Sequence, residues 1–246
     1  MYPVDLCIIA SRRPDLLSLT LSGFSSRVFS NMIIDRVFVN IDPIFGGDLE
    51  HSQCIHAVLQ HFPTAKIFEP NVPNFCAAVR RVWGATEGRF VFHLEDDWVP
   101  LYSMGDELFE KFDVAGVAQV SFHTIDRRWD IRRKGNFHHS RVYRKILGVK
   151  MPTNRYFPRF STAPSLLMGD FARACALRMI DAYDPEKQFY SGVNVSLQDY
   201  VSPYKNYIYS IDGMPVIRDL GREWSAKRGI VKHVADSKSI WFGQDV

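Results

Sequence analysis

The stretch Arg89–Pro100, RFVFHLEDDWVP, drives an apolar strand straight into three acids. Phe90, Val91, Phe92 and Leu94 leave no polar face, and His93 is the one interruption, read here as a core histidine rather than a ligand. A strand with no side for water belongs in a parallel sheet covered by helices on both faces. At its end Glu95, Asp96 and Asp97 repel one another, and a carboxylate buried without a partner is costly, so a cation is expected among them. A hard divalent ion, Mg2+ or Mn2+, suits carboxylate oxygens and keeps positions open for water and phosphate. A purely structural account stands beside it: Asp96 or Asp97 caps a following helix and Glu95 pairs with an arginine.

The segments before this strand alternate in the same way. Val4–Ala10 is a second buried-strand candidate, and Ser11-Arg-Arg-Pro14 turns into a helix whose Leu16, Leu17, Leu21 and Phe24 recur at helical spacing. Asp35–Ile41 reads as a strand ending at Asp42-Pro43, followed by a helix carrying Ile55, Val58, Leu59 and Phe62. Ala65–Phe68 is a short strand and Phe75–Thr86 a helix, with Gly88 as its breaker. Strands alternating with helices at this pace imply βαβ units and a mainly parallel sheet, in which ligands bind beyond the carboxyl ends of the strands. The strand-end groups Ala10, Ser11, Arg12, Asp42 and Glu95–Asp97 are therefore the candidates for a site.

In order and spacing, IIASRRPDLL, VFVNIDP and NVPNFCAAVRRVWGATEGRFVFHLEDDW, spanning about residues 4–100, resemble the nucleotide-sugar half of GT-A glycosyltransferases, especially those similar to family 2. The first acid of the DxD motif is here Glu95, the turn after the first strand is a residue short, and Asp42 is followed by Pro43. The resemblance implies a single GT-A, Rossmann-like α/β domain, a mainly parallel central sheet flanked by helices. Residues 1–100 would bind the nucleotide sugar and 101–246 the acceptor. It implies a metal at Asp97, with Glu95 contributing directly, through water or by contacting the donor, and Asp96 as the less involved middle acid. Ala10, Ser11, Arg12 and Asp42 would line the nucleotide pocket, with Arg80 or Arg81 as the helix arginine near it.

In the second half, Val114–Phe122 and Phe160–Leu167 are expected strands, and Gly169-Asp170 opens a helix. By resemblance, Thr162–Ser165 would face the acceptor. Asp184-Pro185-Glu186 is a helix start with Asp184 as cap. Inverting relatives place a general base at such a position, which makes Glu186 a candidate and Asp199 its competitor; a simple favourable interaction with the helix start is the plainer account of Glu186. After a strand at Tyr207–Ile211, Arg218–Arg222 reads as a mobile loop whose two arginines contact donor phosphates, and His233 stands where many relatives supply a histidine to the metal.

Composition bounds the rest. The 246 residues, 46% hydrophobic and 23% charged, describe an ordinary globular chain with a real core. Cys7, Cys54, Cys76 and Cys175 are widely spaced with no CxxC pair, which argues against a zinc knuckle and for buried thiols. The N-terminus lacks a signal-peptide pattern and no apolar run approaches the roughly 18 residues of a span, so a cytoplasmic protein is expected, or one peripheral to a membrane. The net charge of +3 is uneven. A basic insertion, about 126–160, carries Arg127, Arg128, Arg132, Arg133, Lys134, Arg141, Arg144, Lys145, Lys150, Arg155 and Arg159 against Asp126 and Asp130. Trp129, Phe137, Tyr143, Tyr156 and Phe160 interleave with it, which suits an anionic acceptor such as an acidic glycan or a lipid-linked phosphate, or an anionic membrane face, or else a solvated loop.

The activity the resemblance implies is metal-dependent transfer of a sugar from a nucleotide-diphosphate donor to an acceptor hydroxyl, with Mn2+ or Mg2+ and, from the likeness to family 2, inversion at the transferred sugar. A sugar-phosphate nucleotidyltransferase is the enzymatic rival, though ASRRPDLL lacks the glycine-rich loop it wants. A nucleic-acid-binding protein using the basic segment is the rival of another class, nucleic acid not being the expected partner.

Overall fold

The computed structural model of the chain describes residues 2–125, 129–146, 149–235 and 238–242. In chain order the elements are β1 (Pro3–Ser11), α1 (Pro14–Arg27), β2 (Ile33–Asp42), α2 (Asp48–His61), β3 (Lys66–Phe68), α3 (Phe75–Gly84), β4 (Phe90–Glu95), β5 (Trp98–Pro100), β6 (Val117–Phe122), α4 (Ile131–Lys134), β7 (His139–Ile146) and β8 (Val149–Pro158). They continue with β9 (Ser165–Met168), α5 (Gly169–Arg178), α6 (Pro185–Gln188), α7 (Val195–Val201), β10 (Lys205–Tyr209), β11 (Ile217–Asp219), α8 (Gly221–Lys227), β12 (Val231–Ala235) and β13 (Lys238–Phe242).

Seven strands form one sheet in the order β10-β6-β9-β4-β1-β2-β3, all neighbours parallel except β9, which runs antiparallel to both β4 and β6. The continuous apolar runs are explained by burial on two sides. Leu6, Ile8 and Ala10 of β1 and Phe90, Phe92 and Leu94 of β4 pack with Leu17, Leu21 and Phe24 of α1 and Val58 of α2. Cys7, Ile9 and Val91 point the other way, against Val79, Val82 and Trp83 of α3 and Cys175 of α5. Alternation of side chains along a strand thus feeds two apolar layers, each interior burial contributing about 1.5–3 kcal/mol.

Two close approaches fix the far end of the sheet. Asp5, fully buried on β1, accepts from the Glu87 and Gly88 amides at 2.8 and 2.7 Å and is paired with Arg36. A Cβ on Gly169 would fall 1.9 Å from the Gly88 carbonyl oxygen, so only glycine lets α5 begin there. Gly88 is therefore part of this junction, and the helix before it ends earlier, at Gly84.

The expected strand at Phe160–Leu167 is shorter, Ser165–Met168, because Phe160 is sunk in the core against Phe171 and Phe189 and Ser161–Ala163 form a loop. The basic insertion folds as α4 and the antiparallel hairpin β7–β8; Asp126, Arg127 and Arg128 lie outside the described residues. The expected loop at Arg218–Arg222 is instead β11, paired antiparallel with β5, followed by the first turn of α8. All four cysteines are buried free thiols. Among the described residues no helix is long and apolar enough to cross a membrane.

Candidate functional site

A cleft of about 1120 Å3 opens beyond the carboxyl ends of β1, β2 and β4, lined by Ala10, Ser11, Arg13, Asp42, Glu95, Asp96, Asp97 and Asp219 among others. The acids are set there by a turn anchored on α1. The buried Thr20 hydroxyl donates to the Asp96 carbonyl at 2.9 Å and accepts from the Trp98 amide at 3.1 Å. Both rims of the turn are thereby tied to one helix, and β5 leaves in a fixed direction.

The cation that the acids require is partly internal. Arg13 is buried, with Nη2 2.5 Å from Asp96 Oδ1 and 3.0 Å from Asp97 Oδ2. Asp96 Oδ2 also accepts from the Ser11 amide at 2.8 Å and hydroxyl at 2.9 Å. The guanidinium lies 5.4 Å from the Phe45 ring centre and 5.3 Å from that of Trp224, a geometry in which ring faces attract cations. Phe45 holds φ at +70°, a conformation disfavoured for a bulky residue, to cover Arg13. Arg13 is the residue that sequence reasoning missed here. Arg12, expected in the pocket, turns away to the Gly46 carbonyl and Asp48, since side chains alternate past the strand end and Arg13 shares the side of Ser11.

Asp97 is wedged. Its carbonyl accepts from the Leu220 amide at 2.7 Å, and a Cβ on Gly221 would fall 2.1 Å from Asp97 Oδ2, so α8 closes on this carboxylate only because residue 221 is glycine. Burial pushes the Asp97 carboxyl up to about 6; Arg13 pulls it down, while Asp96 and Asp219 push it further up. Asp219, which sequence reasoning also passed over, accepts from the Gly221 amide at 2.8 Å and holds Arg222 Nε at 3.1 Å. Its signal was present in Arg218-Asp-Leu-Gly-Arg222, an acid between two arginines, but its place beside Asp97 depends on pairing with β5.

Asp42 accepts from the Asn40 side chain at 2.8 Å and the Asn74 amide at 3.1 Å, and burial raises its carboxyl above the ordinary range. Of the two helix arginines, Arg81 reaches the Asn40 side chain beside Asp42. Arg80 instead bonds the Ala176 carbonyl at 3.1 Å and Asp181 at 2.6 Å, and does not line the cleft.

A second cavity of about 290 Å3 adjoins the first, sharing Phe75, Glu95, Trp98, Asp184, Asp219 and Arg222 with it. Ser161, Thr162, Ala163, Thr124 and Glu186 complete its walls. Ser165, expected alongside, is fully buried and accepts from Gln119 instead. Glu95 accepts from Trp98 Nε1 at 2.9 Å between the two spaces. Glu186 is placed by α6: Asp184 caps it through the Glu186 and Lys187 amides at 3.0 and 3.2 Å. Gln188, buried, ties the turn to Ile180, Tyr183 and Asn194. Asp199 is exposed on α7, whose Leu197 and Val201 face the core, and it lines neither cavity.

Arg222 lines both cavities, whereas Arg218 is exposed on β11, paired with Glu223 at 3.1 Å, and lines neither. His233 falls on β12, and its side chain lies outside the described residues. None of the described basic residues of the insertion lines either cavity.

No protein-family model matches the chain, and no curated protein matches its sequence. Solved structures do match in fold. The mannosyltransferase PcManGT from Pyrobaculum calidifontis, in complex with GDP-Man and Mn2+, superposes with a TM-score of 0.60 at 12% identity, over 92% of this chain and 59% of that one. GalNAc-T7 with UDP, GalNAc and Mn2+ gives 0.53 at 12% identity, over 87% of this chain and 44% of that one. S. aureus TarS in complex with UDP gives 0.50 at 10% identity, over 88% and 60%. The chain thus spans less than two thirds of the length of these three structures. At such identities the likeness establishes the fold, and it is the GT-A fold expected from the sequence.

Proposed function

We propose that the chain is a glycosyltransferase that moves a sugar from a nucleoside-diphosphate donor to an acceptor hydroxyl with inversion, aided by a divalent cation at Asp97. The observation that carries this reading is the pair of adjoining cavities. Asp42 and Asp97 line the larger one, at strand ends where nucleotides bind in open α/β sheets, and Glu186 stands in the smaller one beside it. The structural neighbours described with GDP-Man or UDP add to this reading by their fold.

The donor set fits a hard cation. Burial is the main cause of the raised proton affinity of Asp97, and the neighbouring carboxylates of Asp96 and Asp219 add to it against the pull of Arg13, so a cation there would have negative charge to meet. Among the described residues no three of His, Cys, Asp and Glu gather as a metal cage, so a bound ion would depend on one or two carboxylates, water and substrate phosphates. Asp97 would hold it, with Glu95 and Asp219 lining the same cleft, and titration with Mn2+ and Mg2+ ranks the two ions. When bound, such an ion neutralises charge on the departing diphosphate.

The protein's own residues do the rest. Asp42, fixed by Asn40 and Asn74, accepts hydrogen bonds from the base or ribose. Ser11 has donated its hydroxyl and amide to Asp96, so it holds the acid in place. Arg222, which lines both cavities, meets the diphosphate as it leaves. Glu186 takes the proton from the attacking hydroxyl, from a cavity separate from the diphosphate side, as an in-line displacement requires.

Asp97→Asn should abolish release of nucleoside diphosphate from a nucleotide sugar in the presence of Mn2+ while leaving the circular dichroism spectrum unchanged. Full turnover in that variant sinks the assignment. The anomeric configuration of the product, read by proton NMR, decides inversion.

A further inference from the structure

The basic insertion takes no part in the proposed reaction. From Ile131 to Gly169 the chain carries no acid, while β7 and β8 contribute Arg141, Arg144, Lys145, Lys150 and Arg155. The base of this hairpin is rooted on β10, an edge strand of the central sheet. There the His138 amide donates to the Asn206 carbonyl at 2.9 Å, and the Asn206 side chain donates to the Arg159 carbonyl at 2.9 Å. Beyond that base β7 and β8 form a two-stranded sheet of their own, an element of little stability in water unless something packs on it.

The far end of the hairpin combines positive charge with exposed aliphatic surface. Lys145 is paired opposite Lys150, and like charges at directly opposed positions destabilise a hairpin left to itself. Ile146 is paired opposite Val149; Val149 and Met151, two positions apart on one face of β8, are 60% and 49% exposed. Arg141 is exposed as well, and its Nε bonds the Thr153 carbonyl at 2.8 Å rather than a carboxylate. A nucleic acid or an acidic glycan would answer the charge but gain nothing from bare Val and Met side chains. A bilayer with anionic lipids answers both, taking cations at its headgroups and apolar side chains at the acyl boundary.

Independently of the proposed reaction, we infer that the β7–β8 hairpin docks this protein on an anionic membrane surface, with the charge of Lys145 and Lys150 at the headgroups and Val149 and Met151 at the acyl boundary. The hairpin rests in the interface and does not span it.

The test sediments the full chain with vesicles of phosphatidylcholine alone, or of phosphatidylcholine and phosphatidylglycerol in equal parts, and runs heparin and single-stranded DNA alongside. Binding to the anionic vesicles should exceed that to the neutral ones at least about tenfold, and raising salt from about 0.1 to about 0.5 M should release most of it. Lys145→Glu with Lys150→Glu keeps a like-charged pair at this register but reverses its sign, and should cut binding at least about tenfold. Val149→Ser with Met151→Ser keeps every charge and should cut it at least about threefold. Melting curves of both double variants, expected to match the parent's, separate lost docking from lost folding, and the lipid and salt comparisons on the parent need no variant. Equal binding to neutral and anionic vesicles, binding that either double variant leaves whole, or capture by heparin or DNA without capture by vesicles would each overturn the docking.

Discussion

Arg13 Nη2 stands 2.5 Å from Asp96 Oδ1, both side chains buried at the end of the sheet. The pair stabilises the site mainly by what its loss would leave behind. Arg13→Met strands Asp96 and Asp97 without their internal counter-ion, and breaking a buried pair in this way costs about 3–5 kcal/mol. Urea unfolding should show that loss, and Arg13→Lys, which keeps the charge but not the two-carboxylate fork, should lie between. A Met variant as stable as the parent would show that the acids are balanced from elsewhere.

The two candidate bases are separated by position. Glu186→Gln should lower kcat by about 10²–10⁴-fold with little change in donor KM, as expected for a lost general base. Asp199→Asn, altering an exposed residue of α7, should turn over as the parent does. Steady-state kinetics of the two variants measured together tests both statements.

His93 ties stability to pH. Its ring is fully buried, Nδ1 accepts from Trp83 Nε1 at 3.0 Å, and Nε2 faces the Thr162 backbone without closing a hydrogen bond of good geometry. Burial lowers its proton affinity to about 4, so the native ring stays neutral while the unfolded one charges below its ordinary value near 6.5. Stability is then whole above about pH 6.5 and falls as pH drops toward 4, by on the order of 3 kcal/mol. Denaturant melts at pH 7 and 4.5 should show the loss, and His93→Gln, which cannot charge, should show less of it.

Gly221→Ala probes the contact of α8 with the acids. The added methyl must displace Asp97 or the start of the helix, because the space is already filled by Oδ2. Mn2+ affinity, followed by calorimetry, should fall at least about tenfold, while stability changes by no more than about 3 kcal/mol. Unchanged affinity would mean that Asp97 does not serve the ion from this position.

Much of this architecture was legible in the chain. Apolar runs in β1, β2 and β4 announced strands buried twice over, and the carboxyl-end rule pointed to Ser11, Asp42 and Asp97, which line one cleft. What escaped depends on partners distant in sequence. Arg12 and Arg13 differ by one position, and a one-residue step beyond a strand decides which side chain meets Asp96. Arg218–Arg222 looked like a loop because β11 exists only by pairing with β5, over a hundred residues earlier. Asp199 sits in a helix of seven residues, too short for its periodicity to show which side faces solvent.

The reversal of β9 within an otherwise parallel sheet has a practical consequence. Because that strand starts where its neighbours end, the connection entering it, Ser161–Ala163, arrives at the mouth of the site rather than on the opposite rim. Ser161 and Thr162 are almost fully buried there, and the Ser161 backbone exchanges hydrogen bonds with the Gln119 side chain at 2.7 and 3.2 Å, so this short crossing meets the smaller cavity as a fixed wall rather than a swinging loop.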